Sequence, residues 1–530
     1  MAGRLSLIKR YLQNNYWGVI IIILFFGFSF LLYYNSFNMP WEGDEGEYAY
    51  SAMLMRQGDV PYLNSFLQKP PLIIYTYQVA HLIKPFALWP PRLLAFLFTL
   101  ATCTLLALIA KKIYGAKVGW AALWVSLPLL SLPHIDSLPA NTEKFMLLPL
   151  VGLLALFIFK RDKENKFTYF FAGVLSILAI FYKPIALPSV IFIVCYWLAA
   201  NWLKTKDLKK FFKSFGLIMF GAGISIFLIL FYFIIHGALW PLWQQTFAYN
   251  LSYAVDTKNY FPASLFLFLG RLILGFWPIG IIMIGSFFYR SKLVLFWWAC
   301  LLVSFLPIIT TRIGHYYLLL APFLTLIIAG TLGQFLKKIK IKERGQENVI
   351  LVFIVTWIII VFSSFMGEQF FLKPIEIPKW VYGRDNNFSE AILIADKVRR
   401  YTIPGDRIFI AGSEPQIYYF SQRSSVSKFD MVFPLSINTP WRDEYQRQAI
   451  EELKKNKPAA IIIPLAQNVL FEPGTPKAFS DFLLADLENN YHLVGGTVSD
   501  YQISTYLGPK WAEPDKVTDT SLLLYIKNKK

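Results

Sequence analysis

Long apolar segments separated by short polar loops fill the first two thirds of the chain. A membrane-spanning helix needs roughly 17 to 25 mostly apolar residues, and shorter helices are tolerated inside a bundle. The pattern therefore predicts a polytopic α-helical membrane protein with about eleven spans. In chain order the predicted spans are residues 17–37, 92–110, 119–133, 144–159, 168–182, 185–203, 214–235, 264–289, 293–310, 316–336 and 349–366.

The pattern changes after Gly367, where charged residues return and apolar runs shorten to strand length. Helical periodicity and short buried-strand patterns alternate in this part. They predict helices at 389–401, with Ser389 as its cap, and at 477–487, and strands at 407–411, 459–464 and 522–526. The chain is thus predicted to have two domains. These are a transmembrane domain, residues 1–366, whose first outer loop is 38–91, and a soluble extracytoplasmic α/β domain, residues 367–530.

Basic residues are concentrated in alternate loops, which predicts the orientation. Cytoplasmic loops of membrane proteins carry the excess of Lys and Arg. We therefore expect a multi-pass protein of the cytoplasmic (inner) membrane, with a retained first span, a cytoplasmic N-terminus and an extracytoplasmic C-terminal domain. The basic loops lie before the first span and around 111–117, 160–166, 204–213, 290–292 and 337–344.

The composition supports the same class. The 530 residues are 56% hydrophobic and 18% aromatic, with a mean hydropathy of +0.47, which excludes an ordinary soluble globular protein. The net charge of +18 lies mostly in short loops, so it indicates topology and contact with anionic lipid, not nucleic-acid binding. The three cysteines, Cys103, Cys195 and Cys300, fall inside predicted spans and indicate neither disulfides nor a zinc site.

The first candidate site is the acidic segment Trp41–Tyr50, WEGDEGEYAY, directly after the first span. Charged groups at the end of a span are energetically costly unless they are solvated, paired or part of a functional site. Asp44 and Glu45 are the expected pair, in which one takes a proton while the other orients it or holds a cation. The alternative is a solvated acidic loop, which the neighbouring aromatic residues disfavour.

Lys69, within Gln68-Lys69-Pro70-Pro71-Leu72, is the second candidate. Proline fixes the backbone and keeps the preceding residue out of a helix, so Lys69 is predicted to lie at a rigid turn before a helical segment, 72–82. A lysine held in this way can bind phosphate as a point charge. The alternative is a lysine that extends its charge to the membrane interface.

Glu143, at the start of the fourth span, is another candidate for the chemistry. A carboxylate at a helix N-terminus can also be a plain capping feature. Glu45, His134 and Asp136 are candidate ligands of a divalent metal. The His-x-Asp pattern has little specificity, so a structural or solvated role stays open.

Polar and aromatic residues at the tenth span would suit a lipid-linked phosphate. They are Arg312, His315, Tyr316 and Tyr317, and the alternative is an aromatic belt with one snorkelling arginine. Aromatic residues also crowd the outer loop 237–263, where they could stack on a sugar ring or simply populate the interface.

These residues together resemble the GT-C glycosyltransferases, in particular the bacterial branch related to protein O-mannosyltransferases, lipid A aminoarabinose transferase and core-polysaccharide galacturonosyltransferases. The family transfers a sugar from a polyprenyl phosphate to an acceptor outside the cytoplasmic membrane. The resemblance implies a GT-C fold over nearly the whole chain. The matching segments are GDEGEYAY, FLQKPPL, ANTEKFMLLPL, RIGHYYLLLAPFLTLIIAG and IPGDRIFIAGSEPQIYYFSQR.

The resemblance also implies roles for single positions. Asp44 matches the first-loop aspartate proposed as general base, and Glu45 matches its acidic neighbour. Lys69 matches the lysine that contacts the lipid phosphate, and Glu143 stands where members have a second acidic residue.

The residues that bind the lipid phosphate in the family have counterparts in this sequence, with one exception. Tyr316 or Tyr317 stands where a phosphate-binding tyrosine lies in the family. Segment 237–263 lacks the phosphate-binding arginine of the aminoarabinose transferase, and Lys258 or Arg271 could replace it.

The sequence thus predicts an inverting membrane glycosyltransferase that uses a polyprenyl-phosphate sugar. The acceptor would be a hydroxyl or phosphate of a glycolipid, polysaccharide or protein. The sequence does not decide whether the reaction requires a divalent metal. The alternative is a transporter or flippase of lipid-linked sugars without chemistry, which predicts charges along the bilayer midplane and inverted repeats. The charges cluster at one face instead. A non-catalytic surface-assembly protein would leave the carboxylate and lysine pattern unexplained.

Overall fold

Helices form most of the N-terminal part of the computed structural model. The structure describes residues 16–135, 137–160, 165–256, 291–309, 313–338, 367–383, 386–465, 468–499, 504–507 and 520–529, with short pieces within 266–288 and 349–363. The helices are α1 (Tyr16–Tyr34), α2 (Gly43–Gln57), α3 (Leu72–Ile83), α4 (Trp89–Tyr114), α5 (Ala116–Leu129), α6 (Thr142–Lys160), α7 (Lys166–Tyr182), α8 (Leu187–Thr205), α9 (Leu208–Ile235), α10 (Leu239–Trp243), α11 (Tyr249–Asp256), α12 (Lys292–Phe305) and α13 (Ala321–Lys338). A π-helical segment, Gln244–Ala248, joins α10 to α11, and a 3₁₀ segment, Gly314–Leu320, leads into α13.

Six helical stretches in the described residues are long and apolar enough to cross a membrane. They are Ile20–Asn38, Trp89–Tyr114, Thr142–Lys160, Pro184–Thr205, Leu208–Ile235 and Gly314–Lys338. The predicted spans 119–133, 168–182 and 293–310 form the shorter helices α5, α7 and α12. The predicted spans 264–289 and 349–366 lie largely outside the described residues.

Two glycines allow α7 and α9 to cross in close contact. A Cβ added to Gly173 would lie 2.0 Å from the carbonyl oxygen of Ile218, and one added to Gly221 would lie 2.1 Å from that of Phe170. Small residues at such crossings let backbones approach, which is how membrane helices commonly pack. These glycines therefore set the distance between the two helices.

A mixed six-stranded sheet forms the C-terminal part. Its helices are α14 (Ile377–Tyr382), α15 (Phe388–Tyr401), α16 (Gln416–Ser421), α17 (Phe433–Ser436), α18 (Arg442–Asn456) and α19 (Ala478–Asn490). Its strands are β1 (Arg407–Ile410), β2 (Ser424–Ser425), β3 (Ala460–Pro464), β4 (Tyr491–Ser499), β5 (Ser504–Leu507) and β6 (Thr520–Lys527). The order is β2-β1-β3-β6-β4-β5, with β1 parallel to β2 and β3 and the other pairs antiparallel.

The three predicted strands and two predicted helices of this part are confirmed, whereas strands β2 and β5 and helices α14, α16, α17 and α18 were not predicted. Strand β4 was not predicted, because Gly495 and Gly496 interrupt its apolar pattern at an irregularity in its pairing. Ser389 does not cap α15, which begins one residue earlier, at Phe388. The Ser389 hydroxyl instead donates to the carbonyl of Ile375 at 2.9 Å.

Helix α2, from the first outer loop, packs directly against the C-terminal part. A Cβ added to Gly46 would lie 2.5 Å from the backbone nitrogen of Gln416, so the two backbones touch. Tyr50 stacks on Tyr418 with ring centres 4.8 Å apart. The position of α2 is therefore determined by the sheet domain as well as by the helix bundle.

Candidate active site

The helical form of α2 sorts the acidic residues of the first loop by direction. Residues three and four apart share one face of a helix, so Asp44, Glu47 and Tyr48 point the same way, while Glu45 points elsewhere. Asp44 lies in the first turn, where the helix dipole favours a carboxylate. The Tyr48 hydroxyl donates to Asp44 Oδ2 at 3.2 Å.

Lys69 lies opposite this acidic face. Its Nζ is 3.4 Å from Asp44 Oδ1 and 3.8 Å from Glu47 Oε2. The side chains of Lys69 and Asp44 are 15% and 25% exposed, whereas that of Glu47 is buried. The Tyr62 hydroxyl donates to the carbonyl oxygen of Lys69 at 2.7 Å and holds the turn.

A second polar group lies at the N-terminus of α6. Glu143 is fully buried and forms an ion pair with Lys183, which follows the last residue of α7. His315 Nε2 lies 3.7 Å from Glu143 Oε1. The Lys183 ammonium lies 4.1 Å from the ring centre of Tyr316, in a cation–π contact. Glu143, Lys183, His315 and Tyr316 thus meet, although three separate elements carry them.

Electrostatics join the two groups. Burial works to raise the pKa of Asp44, but the charge of Lys69, followed by those of His315 and Lys183, lowers it to about 2. Burial opposes the charge of Lys69, yet Asp44 and Glu47 raise the pKa of its ammonium above the usual range. Burial raises the pKa of Glu47 well above its usual value and favours its protonated form. The site therefore holds an ionised Asp44 beside charged lysines.

Glu45 has a different environment from the one expected for a catalytic or metal-binding residue. Its carboxylate accepts two hydrogen bonds from Arg92, at 2.9 and 2.6 Å, and a third from the backbone nitrogen of Ala140 at 2.9 Å. Both Glu45 and Arg92 are fully buried. Arg92 also donates to the carbonyls of Ser36 and Pro40. The expectation for Glu45 is therefore revised to a structural ion pair that ties the first loop to α4.

Several predicted site residues do not join the described cluster. Within the described ranges, no three His, Cys, Asp or Glu side chains converge in a way that could hold a metal ion. Tyr317 is buried in the helix core, unlike Tyr316. Arg312, Lys258, Arg271, Asp136 and the side chain of His134 lie outside the described residues.

The described part of the aromatic segment 237–263 carries exposed tryptophans as well as polar residues that contact the loop of Lys69. It is largely helical in its described part, and Trp240 and Trp243 stack on each other at 5.1 Å while remaining 67% and 49% exposed. The polar residues of this segment lie nearer the site. Gln245 and Asn250 hydrogen-bond to the backbone of the loop that carries Lys69.

Sequence reasoning missed Glu47 and Arg92 as members of these networks. The spacing of Glu47 from Asp44 was an available signal, because treating the segment as a helix places both on one face. Arg92 carried no local signal, since it stands within an apolar helix start and its partner lies 47 residues away.

Comparisons with known proteins identify the fold. No protein-family model matches the chain, and no curated protein matches it in sequence. Crystal structures of ArnT from Cupriavidus metallidurans, in the apo state and bound to undecaprenyl phosphate, are both 14% identical with a TM-score of 0.59, over 96% of this chain and 98% of theirs. An oligosaccharyltransferase from Archaeoglobus fulgidus, tethered to an acceptor peptide, is 12% identical with a TM-score of 0.50, over 98% of this chain and 77% of that one. The chain therefore shares the fold of these structures over nearly its whole length, which confirms the fold class expected from the sequence: apolar helices long enough to cross a membrane, followed by a C-terminal α/β part.

Proposed function

We propose that the protein is a membrane glycosyltransferase. It transfers a sugar from a polyprenyl-phosphate donor to a hydroxyl or phosphate acceptor at the outer face of the cytoplasmic membrane, with inversion. The observation that carries the proposal is the partly exposed Asp44–Lys69 pair next to the Glu143–Lys183 pair. The bound undecaprenyl phosphate of a structural neighbour with the same fold supports a lipid-linked donor.

Lys69 and Lys183 are the proposed partners of the departing phosphate. As the bond between the sugar C1 and the phosphate oxygen breaks, negative charge grows on the polyprenyl phosphate, and fixed cations beside it stabilise that transition state. Glu143 and Tyr316 hold Lys183 in place. His315, Arg312 and Lys258 stay proposed contacts of the donor, whereas the buried position of Tyr317 disfavours such a contact.

Asp44 is the proposed general base. The acceptor oxygen attacks C1, its proton passes to the Asp44 carboxylate, and the phosphate leaves with the bonding electron pair. A donor phosphate that draws Lys69 away from Asp44 removes the main influence that lowers its pKa, so Asp44 becomes a stronger base when the donor is bound. If the acceptor is an ionised phosphate, no proton transfer is needed and Asp44 orients the acceptor.

The test is to incubate the purified protein with a panel of polyprenyl-phosphate sugars and candidate glycolipid, polysaccharide and protein acceptors. Release of free polyprenyl phosphate that is lost in Asp44→Asn supports the proposal. A parallel reaction with chelator tests the open question of a divalent metal. Movement of intact donor across vesicles without release of free polyprenyl phosphate would instead show a flippase.

A further inference from the structure

The loop that carries Lys69 is inserted into the C-terminal domain through Phe66. The Phe66 side chain is 1% exposed and belongs to the apolar core that β1, β3, α18 and α19 share. Its ring stacks on Phe429 at 6.0 Å and meets Tyr445 edge-on at 5.6 Å. Phe66 precedes Lys69 by three residues, so its anchorage restricts where the lysine can lie.

Asp430 makes the polar part of this anchorage. The side chain is fully buried, and its Oδ1 accepts the backbone N–H of Phe66 at 3.1 Å. Its Oδ2 has no hydrogen-bond partner among the described residues. A buried carboxylate with one unsatisfied oxygen is costly. The hydrogen bond from the Phe66 N–H joins this buried carboxylate of the C-terminal domain to the loop that carries Lys69.

The other side of the loop is held by the segment around α10 and α11. Gln245 Oε1 accepts the backbone N–H of Leu67 at 2.9 Å, and Gln245 Nε2 donates to the carbonyl of Tyr62 at 2.7 Å. Asn250 donates to the carbonyl of Gln68 at 2.8 Å. The backbone before Lys69 is thus clamped between two parts of the protein, and Asp430 provides the clamp from the C-terminal domain.

We propose that Asp430 is a positioning residue through which the C-terminal domain holds Lys69 at the donor phosphate. The proposal rests on the proposed function of Lys69. Asp430 is fully buried, so its proposed role is indirect. It acts by fixing the backbone at Phe66, so its loss lets the Lys69 loop move away from Asp44.

The experiment measures binding of undecaprenyl phosphate to the full-length protein in lipid nanodiscs. Asp430→Ala should weaken binding about tenfold, within the range of coupling between residues that share a backbone segment. Asp430→Asn should restore affinity, because its amide oxygen can still accept the Phe66 N–H. Asn468→Ala is the matched control: Asn468 is also buried in the C-terminal domain and accepts the backbone N–H of Leu470 at 3.2 Å. The Asn468→Ala variant should bind undecaprenyl phosphate with wild-type affinity.

A double-mutant cycle with Lys69→Ala decides between positioning and general loss of structure. If Asp430 acts through Lys69, Asp430→Ala has no further effect on binding once Lys69 is removed. A full additional tenfold loss in the double variant would overturn the proposal. Phe66→Leu, which keeps an apolar side chain but removes the stacking, repeats the cycle if Asp430→Ala does not fold.

The same cycle separates this inference from the proposed function. If Lys69→Ala binds undecaprenyl phosphate as the wild type does, the phosphate role of Lys69 is wrong and both proposals fail. If Lys69→Ala weakens binding but Asp430→Ala and Phe66→Leu do not, the proposed function stands and the positioning role of Asp430 is refuted.

Discussion

The acidic residues at the start of α2 have separate roles because the helix turns them in different directions. Asp44 and Glu47 face Lys69, whereas Glu45 pairs with Arg92 on the buried side. Glu42, just before the helix, accepts a hydrogen bond from Asn141. This acidic segment thus connects the candidate site to the helix bundle. We therefore expect substitutions of its members to have different effects.

Asp44→Asn should abolish most turnover. The substitution keeps the shape of the side chain but removes the proton acceptor, and loss of a general base typically costs about 10²- to 10⁴-fold in rate. The release of polyprenyl phosphate measures turnover, and thermal unfolding of the same preparation serves as the control. A folded Asp44→Asn protein with wild-type turnover on its native acceptor would move the base to Glu143 or Asp136.

Arg92→Met should destabilise the protein by about 3 to 5 kcal/mol, because it leaves the buried Glu45 carboxylate without its charged partner. The double variant with Glu45→Gln should unfold at a higher temperature than Arg92→Met alone, since it removes the unpaired charge. Thermal unfolding in detergent measures both. If Glu45→Gln instead abolishes turnover without changing the unfolding temperature, Glu45 has a functional role and the structural interpretation is wrong.

At the scale of elements, the crossing of α7 and α9 depends on the absence of side chains. Gly173→Ala should lower the free energy of unfolding by about 1 to 3 kcal/mol, the usual cost of overpacking, because the new Cβ meets the Ile218 carbonyl. Gly223→Ala is the control on α9, where no described atom lies within 4 Å of the added Cβ. It should be neutral or stabilising, since alanine favours a helix. Equal unfolding temperatures for the two variants would contradict this view of the crossing.

At the scale of the whole molecule, the contact between the C-terminal domain and the first loop should be sensitive to pH. Burial raises the pKa of Asp430 from 3.8 to about 7. Between pH 4 and pH 7 the folded state binds the Asp430 proton more tightly than the unfolded state does. The contribution of Asp430 to the free energy of unfolding is therefore fully present below pH 4 and is lost as the pH rises towards 7. The contribution is on the order of 1 to 4 kcal/mol.

Asp430→Asn cannot ionise and should remove this contribution. The difference in unfolding temperature between pH 5 and pH 8 should therefore be smaller in Asp430→Asn than in the wild type. Equal differences would show that Asp430 does not titrate in this range.

The orientation in the membrane is a prediction for the whole chain. Single cysteines can replace two exposed lysines: Lys209, in the basic first turn of α9, and Lys477, in the C-terminal domain. In a background without Cys103, Cys195 and Cys300, an impermeant thiol reagent on intact cells should label the position of Lys477 and not that of Lys209. The reverse labelling would place the proposed active site at the cytoplasmic face.

The sequence by itself determined the class of the protein and its main candidate residues. Apolar length predicts helices whatever their neighbours, and the acidic segment and the Lys-Pro-Pro turn marked Asp44 and Lys69 as candidates. Both signals are local, so they can be seen without the fold. The strands with continuous apolar patterns were predicted for the same reason, whereas β4, with its two glycines, was not.

Only the tertiary structure decided which charges meet. Arg92 contacts Glu45 across 47 residues, and Asp430 contacts Phe66 across 364. Glu143, Lys183 and His315 come from three different elements. A buried charge must find a partner, but its own neighbours in sequence do not reveal which one, because helix packing brings the partners together. The division between a structural Glu45 and a site-facing Asp44 follows from that packing.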